Sequence, residues 1–145
     1  MVWRVRPAVG WGRRQRASHA EIRAARSRIA EAPDPSSRAM ALCDAADLLA
    51  KTVGGAPSAF ALYLRAIRTD PRSTEIIRRT AAGLASRPRQ LESFLWRHLA
   101  IAPWAGESRE AARASLDALR ALYAGPLRNS TRARALANAR DALAR

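Results

Sequence analysis

Cys43, followed by Asp44 and Asp47, is the nearest this 145-residue chain comes to a reactive cluster. A thiol attacks only as thiolate, and neighbouring carboxylates hold the proton on it. The spacing therefore predicts a small buried residue. His98 lies on a largely apolar stretch, with no Cys or second His three or four positions away to complete a metal pair. A core or groove histidine is expected. His19 falls in a helix-start motif. Asp44 with Asp47, and Glu107 with Glu110, are carboxylate pairs at helical spacing, which reads as solvated helix faces or helix-start charges. Gly54-Gly55 lacks the Lys-Ser/Thr of a phosphate loop, and Gly10-x-Gly12 lacks a third glycine and a strand–helix context. The expectation is a protein that is not an enzyme and that uses no cofactor and no metal.

The elements that would carry these residues are helical. Alanine is the commonest residue, with 34 copies, whereas valine occurs four times and three of those precede Gly10. Alanine and leucine favour helix, and the shortage of β-branched residues disfavours sheet. The breaks are plain: Asp34-Pro35, Gly54-Gly55, Asp70-Pro71, Arg87-Pro88, Pro103 to Gly106, and Gly125-Pro126 to Asn129-Ser130. They predict helices over 36–51, 57–69, 72–86, 88–101, 107–124 and 130–144, with Asp34 capping and Pro35 in the first turn. Short connections predict antiparallel neighbours. Ser18-x-x-Glu21 has the form of a capping box and predicts a helix from 18 to about 32, with Ile22, Ala25, Ile29 and Ala30 facing inward. Trp96 is expected in the core, and Trp104 is expected to pack across its turn.

Positive charge is in excess: 26 Lys and Arg against 12 Asp and Glu, a net +14. It is concentrated in residues 1–28, with eight Arg and one Glu. Such a balance points to polyanions or acidic partners, though a GC-rich genome also writes Arg for Lys. Residues 1–17 read as a basic arm, flexible until bound. In it Trp3 and Trp11 interleave with Arg4, Arg6, Arg13, Arg14 and Arg16, a pattern suited to stacking on bases or entering an apolar pocket. The lone cysteine permits no intramolecular disulfide, so a reducing compartment is expected. No run approaches the roughly 18 apolar residues of a membrane span, and no secretory signal is evident. A cytoplasmic location is therefore expected.

Spacing adds one further signal. Leu42-x2-Ala45-Ala46-x2-Leu49 precedes Ala59-x3-Tyr63-x2-Ala66-x4-Pro71, two small-residue seams on successive helices. Ile77-x2-Thr80-Ala81-x2-Leu84 repeats the first seam, with Leu91, Leu95 and His98 on the following helix. Ala112-x2-Ser115-Leu116-x2-Leu119 repeats it again, followed by Ala133, Ala137 and Leu143. The proline boundaries at Pro35, Pro71 and Pro103 recur at a mean of 34 residues, so residues 36–145 resemble tetratricopeptide repeats, one well formed and two degenerate. The resemblance departs from the family in having no Trp or Gly in the first-helix seams and in His98 replacing a small residue.

The resemblance implies stacked antiparallel helical hairpins over 18–145, with residues 18–32 as a capping helix. It also implies a groove lined by the first helix of each pair: Asp47 and Lys51, Glu75 and Arg78, then Arg113, Asp117 and Arg120. The function implied is an adaptor or scaffold holding a partner protein, an acidic segment being one candidate. The alternative is a nucleic-acid-associated protein that binds phosphates through the N-terminal Arg/Trp arm. The exposed ends of such a stack leave self-association open.

Overall fold

Asp34 and Pro35 open their helix as the sequence predicts. The Asp34 carboxylate accepts a hydrogen bond from the Ser37 amide at 2.7 Å, and Pro35 occupies the first turn, where no amide proton is needed. Asp34→Ala is expected to cost about 1 kcal/mol of stability in urea unfolding. The same logic repeats at Ser73, which accepts from the Ile76 amide, and at Asn129, which accepts from the Arg132 amide. Gly54, at φ +76°, turns the chain between the second and third helices.

The computed structural model describes residues 8–145, with side chains from Ala20 onward. Its helices are α1 (Ala8–Glu31), α2 (Pro35–Ala50), α3 (Ala56–Thr69), α4 (Thr74–Gly83), α5 (Pro88–Ile101), α6 (Arg109–Ala124) and α7 (Ser130–Leu143). A short 3-10 turn, Gly106–Ser108, leads into α6. No strand occurs among the described residues, so the chain is all-α there.

Two boundaries differ from expectation by three residues or more. The first helix begins at Ala8, which places Ser18-x-x-Glu21 inside it rather than at its start. A Ser and a Glu three apart are also ordinary helix-surface neighbours, and the pattern alone does not separate the two cases. The fourth helix ends at Gly83: Leu84 still donates its amide to the Thr80 carbonyl, but its own backbone leaves helical geometry.

Helices α2 and α3 pack face to face, and so do α6 and α7; α2 touches α4, α4 touches α6, and α3 touches α5. Arg109 at the start of α6 donates to the Leu143 carbonyl at the end of α7, so those two helices run antiparallel. Among the described residues, α1 packs on α2 alone.

The core follows the small-residue seams. Leu42, Ala45, Ala46, Ala59, Tyr63 and Ala66 are buried, as are Ile77, Thr80 and Leu84, then Leu91, Leu95 and His98, then Ala112, Ser115, Leu116 and Leu119. Alanine adds little apolar area of its own, against about 1.5–3 kcal/mol for a fully buried Leu, Ile or Phe. Its contribution is proximity: at Ala39, Ala46, Ala59 and Ala66, all with zero exposure, nothing holds α2 and α3 apart. Ile22 and Ile29 are half-buried and Ala25 is fully buried, whereas Ala30, expected to face inward, is exposed.

Candidate functional site

A cleft of about 380 Å³ opens where α2, α3 and α4 meet. Asp47, Ala50 and Lys51 line it from α2 and its C-terminus, Tyr63 from α3, and Arg78, Arg79, Ala82 and Gly83 from α4. The small residues on α4 leave space that larger side chains would fill.

Its back wall is a polar cluster held by Arg79. That guanidinium donates through Nε to Asp47 Oδ2 at 2.8 Å, and through Nη2 to Asp44 Oδ1. Tyr63, with no exposed surface, donates its hydroxyl to the other Asp47 oxygen. Burial opposes charge on Arg79, but its hydrogen bonds to the Asp44 and Asp47 carboxylates outweigh it and hold the guanidinium protonated. Burial pushes the Tyr63 phenol up, and its bond to Asp47 raises it further.

Asp44 and Asp47 are therefore not free solvated charges; they are the two halves of one arginine site. Arg79 was absent from the residues the sequence nominated. The available signal was that two carboxylates one turn apart on a half-buried helix face require a cation, and Arg79 lies 35 residues beyond Asp44.

Cys43 is buried beside this cluster, and burial pushes its thiol up to about 12. Arg79 opposes the shift, while Asp47 and Asp44 reinforce it. The expectation of a small buried residue agrees with this geometry.

Lys51 and Arg78 form the accessible rim. Lys51 is exposed, caps the C-terminus of α2, where a cation offsets the helix dipole, and makes no ion pair among the described residues. Arg78 is exposed and binds Glu75 through Nε at 2.9 Å. That bond holds the Glu75 carboxyl below the usual range.

The remaining nominated residues lie elsewhere on the surface. Arg113, Asp117 and Arg120 do not line the cleft. Arg113 pairs with Glu110 at 2.9 Å, and Asp117 receives Arg140 of α7 at 3.0 Å. Arg120 is exposed and without an ion pair among the described residues. Trp3, Arg4 and Arg6 fall outside the described residues. Trp11, Arg13, Arg14 and Arg16 fall within α1, where only the backbone is described.

A second polar cluster, anchored on Glu92 of α5, ties that helix to α6 and α7. Tyr123 donates to Glu92, Trp96 Nε1 donates to the Tyr123 hydroxyl at 3.0 Å, and Arg132 lies 5.5 Å from the Tyr123 ring centre. Trp96 was expected in the core, but it is 43% exposed: its indole N–H reaches a partner at the edge while one face stays in solvent. Trp104 donates its indole N–H back to the Leu99 carbonyl at 3.0 Å, and its ring is 43% exposed.

His98 is fully buried between α5, α6 and the turn before α4. Its Nε2 lies 2.8 Å from the Pro71 carbonyl and its Nδ1 2.6 Å from Ser115 Oγ. A carbonyl only accepts, so Nε2 carries the proton and Nδ1 accepts from the Ser115 hydroxyl. The ring is held neutral: burial lowers its pKa, opposed by the Pro71 carbonyl. Because the folded value lies below the unfolded value of about 6.5, this contribution is complete above that pH and is lost as pH falls. Stability should drop by at most about 1.4 kcal/mol per pH unit between pH 6.5 and the folded value. His98→Gln retains a donor and an acceptor and is expected to flatten that part of the profile in urea melts run from pH 7.5 to 5.5.

The described residues define an all-helical fold with a cleft rimmed by Lys51 and the Arg78–Glu75 pair. Comparison with family models, with curated proteins and with solved structures returned no match. Among the described residues no group of three or more His, Cys, Asp or Glu is placed to hold a metal ion. No helix there is long and apolar enough to cross a membrane.

Proposed function

We propose that the chain is a non-catalytic interaction module, an adaptor or scaffold that holds a partner protein in the α2–α4 cleft. The observation that carries this reading is the cleft itself. Lys51 and Arg78 stand at its rim, and Ala50 and Ala82 leave room for a partner segment. A tetratricopeptide-like stack, which would line one surface with its first helices, is part of this proposal; α2 touches α4, and α4 touches α6. Glu75 then adds an acceptor beside Arg78, and Arg113, Asp117 and Arg120 extend the surface along α6. With Arg78 held by Glu75, Lys51 is the rim cation without an ion pair among the described residues, and its charge favours a partner with an acidic segment.

The test is affinity capture of the tagged full-length protein from its own cells, with and without nuclease, beside a Lys51→Glu/Arg78→Glu variant. A stoichiometric protein that survives nuclease and is lost from the variant is the expected result. Retention by the variant would remove the cleft from the account.

One observation favours a second reading. Helix α1 carries six Arg against two Glu, and its Arg23, Arg26 and Arg28 are exposed. A basic helix of this kind suits a phosphate backbone. Its signature is steep loss of binding with salt and loss on Arg13, Arg14 and Arg16→Ala, whereas cleft binding should change little.

A further inference from the structure

The layer formed by α3 and α5 bears a separate groove of about 230 Å³, away from the α2–α4 cleft. Leu64 and Ile67, both buried, form its floor; Ala100 and Ile101 form one wall; Arg68 and Arg97 stand at its edges. Ile101 is 45% exposed, although it closes an amphipathic helix whose other large aliphatic residues, Leu91, Leu95 and Leu99, are buried. The volume falls below the roughly 300 Å³ at which small-molecule sites begin, and suits a single large side chain.

The electrostatics of this groove are one-sided. Helix α3 contains no acidic residue. The only acid on α5, Glu92, is engaged by Tyr123 and Arg89. Neither Arg68 nor Arg97 has an ion pair among the described residues; Arg97 instead lies 5.9 Å from the Phe60 ring centre, which holds its guanidinium over the apolar surface. Two unneutralised guanidinium groups thus flank an apolar slot.

We propose that this groove is a second docking surface, which takes an acidic partner segment through one large apolar side chain. The apolar residue would enter between Leu64, Ile67 and Ile101, and flanking carboxylates would meet Arg68 and Arg97. Charge selects this occupant over the chain's own N-terminus, which brings Arg4 and Arg6, and over a second copy, which carries the same net +14. The proposal is independent of the α2–α4 cleft.

The test pans a displayed library of random 16-residue peptides on the full-length protein. The strongest binders are then synthesised and titrated against variants. Arg68→Glu/Arg97→Glu and Lys51→Glu/Arg78→Glu alter net charge equally, so their comparison separates this groove from general attraction to a basic protein. Ala100→Trp fills the groove without touching charge and, like Ile101→Asp, alters an exposed position; circular dichroism confirms that each variant folds. Peptides rich in Asp and Glu around a large apolar residue are expected. Their dissociation constants should rise at least tenfold in Arg68→Glu/Arg97→Glu and in Ala100→Trp, and stay unchanged in Lys51→Glu/Arg78→Glu. Failure to recover any peptide that separates wild type from the groove variants overturns the proposal. So does enrichment of basic peptides, or a concentration-dependent dimer that Ile101→Asp abolishes.

Discussion

Gly83→Ala is expected to destabilise the protein by about 3 kcal/mol, against the usual sense of that substitution. In a helix, glycine to alanine ordinarily gains about 1 kcal/mol. Here an added Cβ would lie 2.1 Å from the Tyr63 hydroxyl and 2.9 Å from the ring carbon that bears it. Tyr63 has no exposed surface and is fixed by Asp47, so it cannot swing aside without breaking that bond. Overpacking of this kind costs about 1–3 kcal/mol, and a disrupted buried hydrogen bond adds about 1–3. Urea unfolding of Gly83→Ala, Tyr63→Phe and the double variant provides the check. Removing the hydroxyl removes the closest clash, so the double variant should be less destabilised than the sum of the singles. Additive losses would mean that the two residues do not meet.

Arg79→Met should cost about 2 kcal/mol. Removing one partner from a fully buried ion pair costs about 3–5 kcal/mol, because the other charge is left stranded. Arg79 is 18% exposed, but Asp44 and Asp47 are 45% and 28% exposed, and solvent reaching the carboxylates reduces the loss. Arg79→Lys keeps the charge without the planar fork that spans both carboxylates, and should recover only part of the stability. Asp44→Asn, at the more exposed end, should be milder than Asp47→Asn, which also disturbs Tyr63. A double-mutant cycle between Arg79→Met and Asp47→Asn would show strong coupling; a coupling near zero would contradict the geometry.

The helices were legible because proline, glycine and aspartate punctuate this chain. Pro35, Pro88 and the Gly125-Pro126 break place helix ends to within a residue or two. The buried seams were legible as well, since Leu42 with Ala45 and Ala46, Ala59 with Tyr63 and Ala66, and Ile77 with Thr80 and Leu84 each keep helical spacing and are all buried. What escaped was whatever depends on contacts distant in sequence. Arg79 looks like any surface arginine until α4 brings it onto Asp44 and Asp47. Trp96 looks like a core residue, yet only its N–H reaches inward, to the buried Tyr123 hydroxyl, while the ring is 43% exposed. Gly83 and Leu84 read as a continuing helix, because nothing local shows that the Tyr63 ring lies against the glycine. The rim of the cleft was nominated through Asp47, Lys51 and Arg78, whereas the apolar groove between α3 and α5 was not, since it depends on Leu64 and Ile101 meeting across two helices.

The sole thiol in the chain sits behind the arginine cluster, closed to solvent and protonated at neutral pH. That placement makes it a built-in clock for the opening of this half of the molecule. An aromatic disulfide reagent would find Cys43 only in molecules in which the helices packed around α2 have opened, so labelling reports that opening. The wild-type protein should label slowly and with a single phase. Variants that loosen the arginine cluster should label faster, by about tenfold for each 1.4 kcal/mol of stability they lose, with no engineered probe required.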